Sequence, residues 1–131
     1  MIDIHAHVIP GVDDGPKDME GAIALLRQAH LAGVTQVVAT PHFHLPSFDN
    51  LKTRIQFDAL KEAVLKAKIP IALHLGNEVY ADDAVNFHLE SGQIHTLGGT
   101  NYLLLELPTT KLYPSHHDLI FRLQLQGYRV I

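Results

Sequence analysis

The chain has 131 residues, 47% of them apolar and 18% charged, with a net charge of −4, ten histidines and no cysteine. That is at most one domain, residues 1–131, with apolar content that fits a packed core rather than a disordered polypeptide. Disulfides and thiolate metal sites are excluded, and the scattered cations (Lys17, Arg27, Lys52, Arg54, Lys61, Lys66, Lys68) form no basic block for nucleic acid.

The first residues, MIDIHAHVIPGVDDG, read as a short apolar strand, Met1–Ile4, that reaches His5. They lack the basic and apolar regions of a signal peptide, and no stretch approaches the roughly 20 apolar residues of a membrane span, so a reducing, cytoplasmic location is expected. Asp18–Ala32 follows as a helix with Met19, Ala22, Ile23, Leu26 and Ala29 on one face, Asp18 as N-cap and Gly33 past its end. Thr35–Thr40 is β-branched and short, a buried strand ending at Pro41 and His42.

A second helix is expected over Leu51–Lys68, with Leu51, Ile55, Leu60 and Val64 as its apolar stripe and Lys61, Lys66 and Lys68 on its wet side. Pro70–Leu75 is the third strand, with Gly76, Asn77 and Glu78 directly after it. Asp82–Glu90 reads as a short helix, and Tyr102–Leu105 as a fourth strand reaching Glu106. A third long helix opens at Pro114 and Ser115, with Ser115 and Asp118 in capping-box-like spacing, and runs to Gln126. Tyr128–Ile131 begins a fifth strand. Such alternation implies an α/β fold of parallel βαβ units, as a barrel or an open doubly wound sheet. No G-x-G-x-x-G follows a strand, so dinucleotide binding has no support.

In (β/α) folds the site is built at the C-terminal ends of the strands. Here the first strand ends at His5 and His7, the second at His42, the third close to Glu78 and the fourth at Glu106; Asp13 and Asp14 lie in the loop after the first. A lone H-x-H occurs by chance, and Asp-Asp-Gly alone reads equally well as a turn. Four strand ends in succession carrying imidazole or carboxylate point instead to a cluster of divalent metals such as Zn²⁺, Mn²⁺ or Fe²⁺. His5 and His7 project to one side because strand side chains alternate. A carboxylate can bridge two ions, which suits Glu78 or Glu106, and paired ions can clamp a transferring phosphoryl group. His30, His88, His95, His116 and His117 read as surface or capping residues, His44 as part of the mouth, and His74 as packing within its strand.

The stretches DIHAHVIPGVDDG, VVATPHF, GNEVY and LLLELP, in order along the whole chain, resemble the polymerase-and-histidinol-phosphatase superfamily. The closer resemblance is to the manganese-dependent tyrosine-protein phosphatases of bacterial capsular and exopolysaccharide loci. That resemblance implies the N-terminal part of a distorted (β/α)₇ barrel with up to three divalent ions, Mn²⁺ in most members. His5 and His7 would bind the first ion, Glu78 would bridge it to the second, Glu106 would bind the second, and Asp14 and His42 the third, with Asp13 the alternative to Asp14. The implied reaction is hydrolysis of protein phosphotyrosine by activated water, without the cysteine nucleophile of the common tyrosine phosphatases. The implied partner is a bacterial tyrosine kinase of polysaccharide export. The alternatives are another phosphoesterase of the superfamily, such as a histidinol phosphatase, or a non-catalytic metal-binding fragment, and a homo-oligomer stays open.

The family's His-Pro-Glu-Arg motif would follow a strand such as GYRVI, and an Asp-x-His motif would come later. Neither occurs in these 131 residues. The expectation is therefore a truncated barrel that lacks one ligand per ion and the phosphate-holding arginine; Arg129, inside a strand, takes neither role.

Overall fold

The computed structural model describes residues 1–131. Its strands are β1 (Ile2–Ala6), β2 (Gln36–Ala39), β3 (His42–Phe43), β4 (Ala72–Leu75), β5 (Glu78–Tyr80), β6 (Tyr102–Glu106) and β7 (Arg129–Val130). Its helices are α1 (Met19–Leu31), α2 (Thr53–Lys66), α3 (Val85–Glu90) and α4 (Pro114–Leu125), with a single 3₁₀ turn at Leu97–Gly99. Every strand pairing is parallel, in the orders β1-β2-β4 and β3-β5-β6-β7.

The sequence predicts five strands and the chain forms seven, because the second and third each resume past a crease as a further short strand, β3 and β5. The second breaks at Thr40–Pro41 and the third at Gly76–Asn77. The breaks lie opposite one another: Ala39 pairs with Leu75 before them, and His42 with Glu78 after them. Pro41 has no N–H to continue a ladder. Gly76 leaves the room that Leu97 occupies, since a Cβ there would lie 2.7 Å from Leu97 Cδ2 and 3.2 Å from its Cα. The crease makes His42 and Glu78 adjacent first residues of the strands that follow it.

Asn77 holds the crease. Its fully buried amide donates to Pro41 O (3.0 Å) and to Asn50 Oδ1 (3.1 Å), and its oxygen accepts from Asn50 Nδ2 and from the His95 N–H, both at 2.8 Å. Asn77→Ala orphans the His95 amide and leaves the Pro41 carbonyl with the Glu78 N–H alone, at a cost of about 1–3 kcal/mol. Urea unfolding of the metal-free protein should show it as a lower midpoint at unchanged m.

The helices cover one face of the sheet over two cores. Under α1 and α2 lie Val37, Ala39, Leu73 and Leu75; under α3 and α4 lie Phe43, Val79, Leu103 and Leu105. Helix α1 forms as its pattern predicts: Ala22 and Leu26 are fully buried, Met19, Ile23 and Ala29 pack beside them, and Asp18 accepts from Gly21 N at 2.8 Å. Helix α2 buries Leu60 and Val64 as expected but not the other two residues of the predicted stripe. Leu51 and Ile55 are 83% and 71% exposed, and the buried stripe is Thr53, Phe57, Leu60 and Val64. Those four recur at spacings of four, three and four, a cleaner helical stripe than one anchored on Leu51, which precedes the helix. At α4 the Ser115–Asp118 box does not form. Pro114 occupies the first turn, and the Tyr113 N–H donates to His116 Nδ1 at 2.9 Å.

Candidate metal centre

His5 comes from the end of β1 and His7 from just beyond it. The β1–β2 register shifts between Asp3 and Ala6, and Thr40 ties the end of β1 down: its Oγ1 accepts from Ala6 N at 3.0 Å and its N–H donates to Ala6 O at 2.9 Å. The two rings converge, with Nε2 of His5 and Nε2 of His7 3.4 Å apart. Glu78 Oε2 sits 3.1 Å from the first and 3.0 Å from the second. The same oxygen is 3.3 Å from His42 Nδ1, so three imidazoles surround one carboxylate oxygen. Glu106 Oε2 lies 3.5 Å from His42 Nδ1, and Asp14 Oδ1 lies 3.6 Å from His42 Nε2.

These atoms form three overlapping groups able to hold an ion: His5, His7 and Glu78; His7, Asp14 and His42; and His42, Glu78 and Glu106. The six residues named from the sequence are the six in these groups. They share one rim: His5 and Glu106 at the C-terminal ends of β1 and β6, His7 and Asp14 in the loop after β1, and His42 and Glu78 just past β2 and β4, as first residues of β3 and β5.

Asp13 and Asp14 have different surroundings. The Asp13 side chain is 1% exposed, that of Asp14 71%. Asp13 accepts from His7 Nδ1 at 2.8 Å, from the Gly15 N–H at 3.0 Å and from the His42 N–H at 3.1 Å. Burial alone would raise its carboxyl; the His7 ring and the two backbone donors outweigh this and hold it below the ordinary carboxylate range. The hydrogen bond to Asp13 in turn raises His7, against the opposing effect of burial. With Nδ1 donating to Asp13, neutral His7 presents a bare Nε2 toward His5 and Glu78, the tautomer a metal needs. Gly15 makes this loop possible, since a Cβ there would stand 2.7 Å from the His7 carbonyl oxygen.

The donor set suits hard-to-borderline divalent ions: imidazole nitrogens, one shared carboxylate oxygen and no thiolate. Two imidazole nitrogens 3.4 Å apart beside a carboxylate gain most when a cation draws all three together.

The profile of a family described as "Capsular polysaccharide synthesis, CpsB/CapC" matches residues 1–131. The chain belongs to the CpsB/CapC family. It is 37% identical over 131 residues to the putative tyrosine-protein phosphatase CapC of Staphylococcus aureus, covering 98% of this chain and 51% of that one. It is 32% identical to the tyrosine-protein phosphatase YwqE of Bacillus subtilis (98% and 51% covered) and 30% to CpsB of Streptococcus pneumoniae (97% and 53%). Among solved structures it superposes with a TM-score of 0.93, at 32% identity, on a chain from a crystallographic study of YwqE from Bacillus subtilis and CpsB from Streptococcus pneumoniae, described there as unique metal-dependent tyrosine phosphatases. That match covers 99% of this chain and 53% of the other. The chain thus spans about half the length of the CpsB/CapC relatives it matches.

Asp13, expected as the alternative ligand to Asp14, is bound to His7 Nδ1, and Asn77, given no role by the sequence, holds the crease. Asp13 carries a readable signal, an acid two residues before a glycine in a tight loop. Among the remaining histidines, His95 is half-buried beside Arg54, not on the surface; burial first and Arg54 second lower its pKa. His74 Nε2 faces Gln36 Oε1 at 3.1 Å, and His88 Nδ1 faces Gln93 Oε1 at 2.6 Å. His44 lies at the rim, stacked on Tyr80.

Proposed function

We propose that this chain carries a substantial part of the centre of a metal-dependent protein-tyrosine phosphatase acting in capsule or exopolysaccharide synthesis. The observation that carries the reading is the meeting of His5, His7, Asp14, His42, Glu78 and Glu106 in three overlapping ligand groups on one rim. Mn²⁺ is the ion we assign. His5, His7 and Glu78 would hold the first, Glu78 and Glu106 the second, and His42 with Asp14 the third. Bound there, the ions supply Lewis acidity that activates water and neutralises charge on the phosphoryl oxygens.

The residues of the chain do the rest. Asp13 fixes the His7 ring. Glu78 places one oxygen among three imidazoles. His42 turns Nδ1 to Glu78 and Glu106 and so points Nε2 at Asp14. The proposed substrate is a protein phosphotyrosine, with a tyrosine kinase of polysaccharide export as the partner and the cytoplasm as the compartment. No helix is long and apolar enough to cross a membrane. A second reading of the same three ligand groups is metal binding without turnover.

One experiment separates the two. A phosphotyrosine peptide is incubated with the Mn²⁺-loaded protein, and phosphate release is followed with and without chelator. The first reading expects release that chelator abolishes and that His5→Ala removes. Metal uptake without release would establish the second.

A further inference from the structure

One strand step beyond His42 and Glu78 the chain places two more rings. Phe43 and Val79 point into the core beneath α3 and α4. Alternation therefore returns His44 and Tyr80 to the side of the sheet that carries His42 and Glu78. There the His44 and Tyr80 rings stack, with centroids 4.2 Å apart and planes inclined at 21°. Phe48 lies 5.2 Å from the His42 ring at 30°. The loop between them is closed by reciprocal backbone bonds, His44 N–H to Phe48 O (3.0 Å) and Phe48 N–H to His44 O (2.8 Å). All three rings are half-buried, and Tyr80 pairs in register with Glu106.

We propose that His44 and Tyr80, with Phe48 beside them, form an aromatic shelf over the metal centre that selects aryl over alkyl phosphate monoesters. The proposal rests on the phosphatase reading above and names what that site distinguishes. Two residues of strand carry the shelf about 6–7 Å outward from the ligand side chains. In an aryl phosphate the ring hangs from phosphorus through a single oxygen. With the phosphoryl group among the ligands, that ring stands at the height of the shelf and meets flat faces. In a seryl phosphate a methylene and a backbone occupy that height, and nothing stacks. Tyr80 also lines a cleft of about 320 Å³ together with Asp82, Lys111, Tyr113 and His116, which leaves room for the polypeptide flanking the ring.

The test uses two non-hydrolysable probes, the phosphonate analogues of phosphotyrosine and of phosphoserine, titrated calorimetrically into the Mn²⁺-loaded chain. The wild type should prefer the aryl probe. Tyr80→Ala should weaken the aryl probe about five- to tenfold, the scale of one aromatic contact, and leave the alkyl probe within about twofold. Tyr80→Phe should restore the preference, and Mn²⁺ uptake should be the same in all three proteins. His44→Ala, on the other side of the stack, gives the same readout should Tyr80→Ala not fold. Equal binding of both probes by the wild type, or equal weakening of both in the variants, would overturn the shelf and leave the phosphatase reading standing. A wild type that takes up Mn²⁺ and binds neither probe would overturn both.

Discussion

Replacing Glu78 with Gln should abolish the stabilisation that divalent metal confers on this protein. Glu78 Oε2 lies 3.0–3.3 Å from ring nitrogens of His5, His7 and His42, so this one oxygen belongs to two of the three candidate ligand groups. The amide keeps the shape but loses the charge and presents an NH₂ where a bare acceptor is needed. Loss of even an outer partner of a metal ligand costs up to about 100-fold in affinity, and loss of the shared ligand should exceed that. At a metal concentration about 100 times Kd, binding stabilises the native state by about 2.7 kcal/mol, or roughly 10 °C in Tm for a chain of this size. Thermal unfolding with and without Mn²⁺ should show that increment in the wild type and none in Glu78→Gln. Glu106→Gln should lose less, because Glu106 joins a single group.

Replacing Asp13 with Ala should destabilise the metal-free protein by about 2–4 kcal/mol, because it strands the amides of Gly15 and His42 and frees the His7 ring. The pH dependence identifies the cause. His7 is raised in the folded state, so its contribution is fully present below pH 6.5 and is lost as pH rises through its folded value. Asp13 is lowered, so its contribution is present above its unfolded value and is lost as pH falls through its folded value. In the metal-free wild type, stability should therefore fall from pH 6.5 upward on account of this pair. Asp13→Ala should flatten that slope. Metal should reverse it, since ions compete with protons for His7. Denaturant midpoints taken between pH 5 and 8 test all three statements. A slope that persists in Asp13→Ala would place its origin elsewhere.

Much of this centre is legible in the sequence because the strand ends are. A β-branched run, a proline and a histidine fix the end of β2 without reference to any distant contact. The same logic places Glu106 after four apolar residues. The crease is illegible because it is cooperative. Pro41 breaks one ladder, but the matching break at Gly76–Asn77 depends on Leu97 and Asn50, remote in sequence, arriving at the same place. The first half of the α2 stripe is illegible for a related reason: Leu51 has the side chain of a core residue, but the helix begins after it, at Thr53. Asp13 and Asp14 are chemically identical as letters. Only the three donors around Asp13 and the exposure of Asp14 separate the orienting acid from the candidate ligand.

The most direct test is an anomalous-diffraction map of crystals of this chain soaked in Mn²⁺. The account predicts density in contact with Nε2 of His5, Nε2 of His7 and the Glu78 carboxylate, with Asp13 still bound to His7 Nδ1. Manganese bound only away from these side chains, or no ordered ion at all at saturating metal, would contradict it.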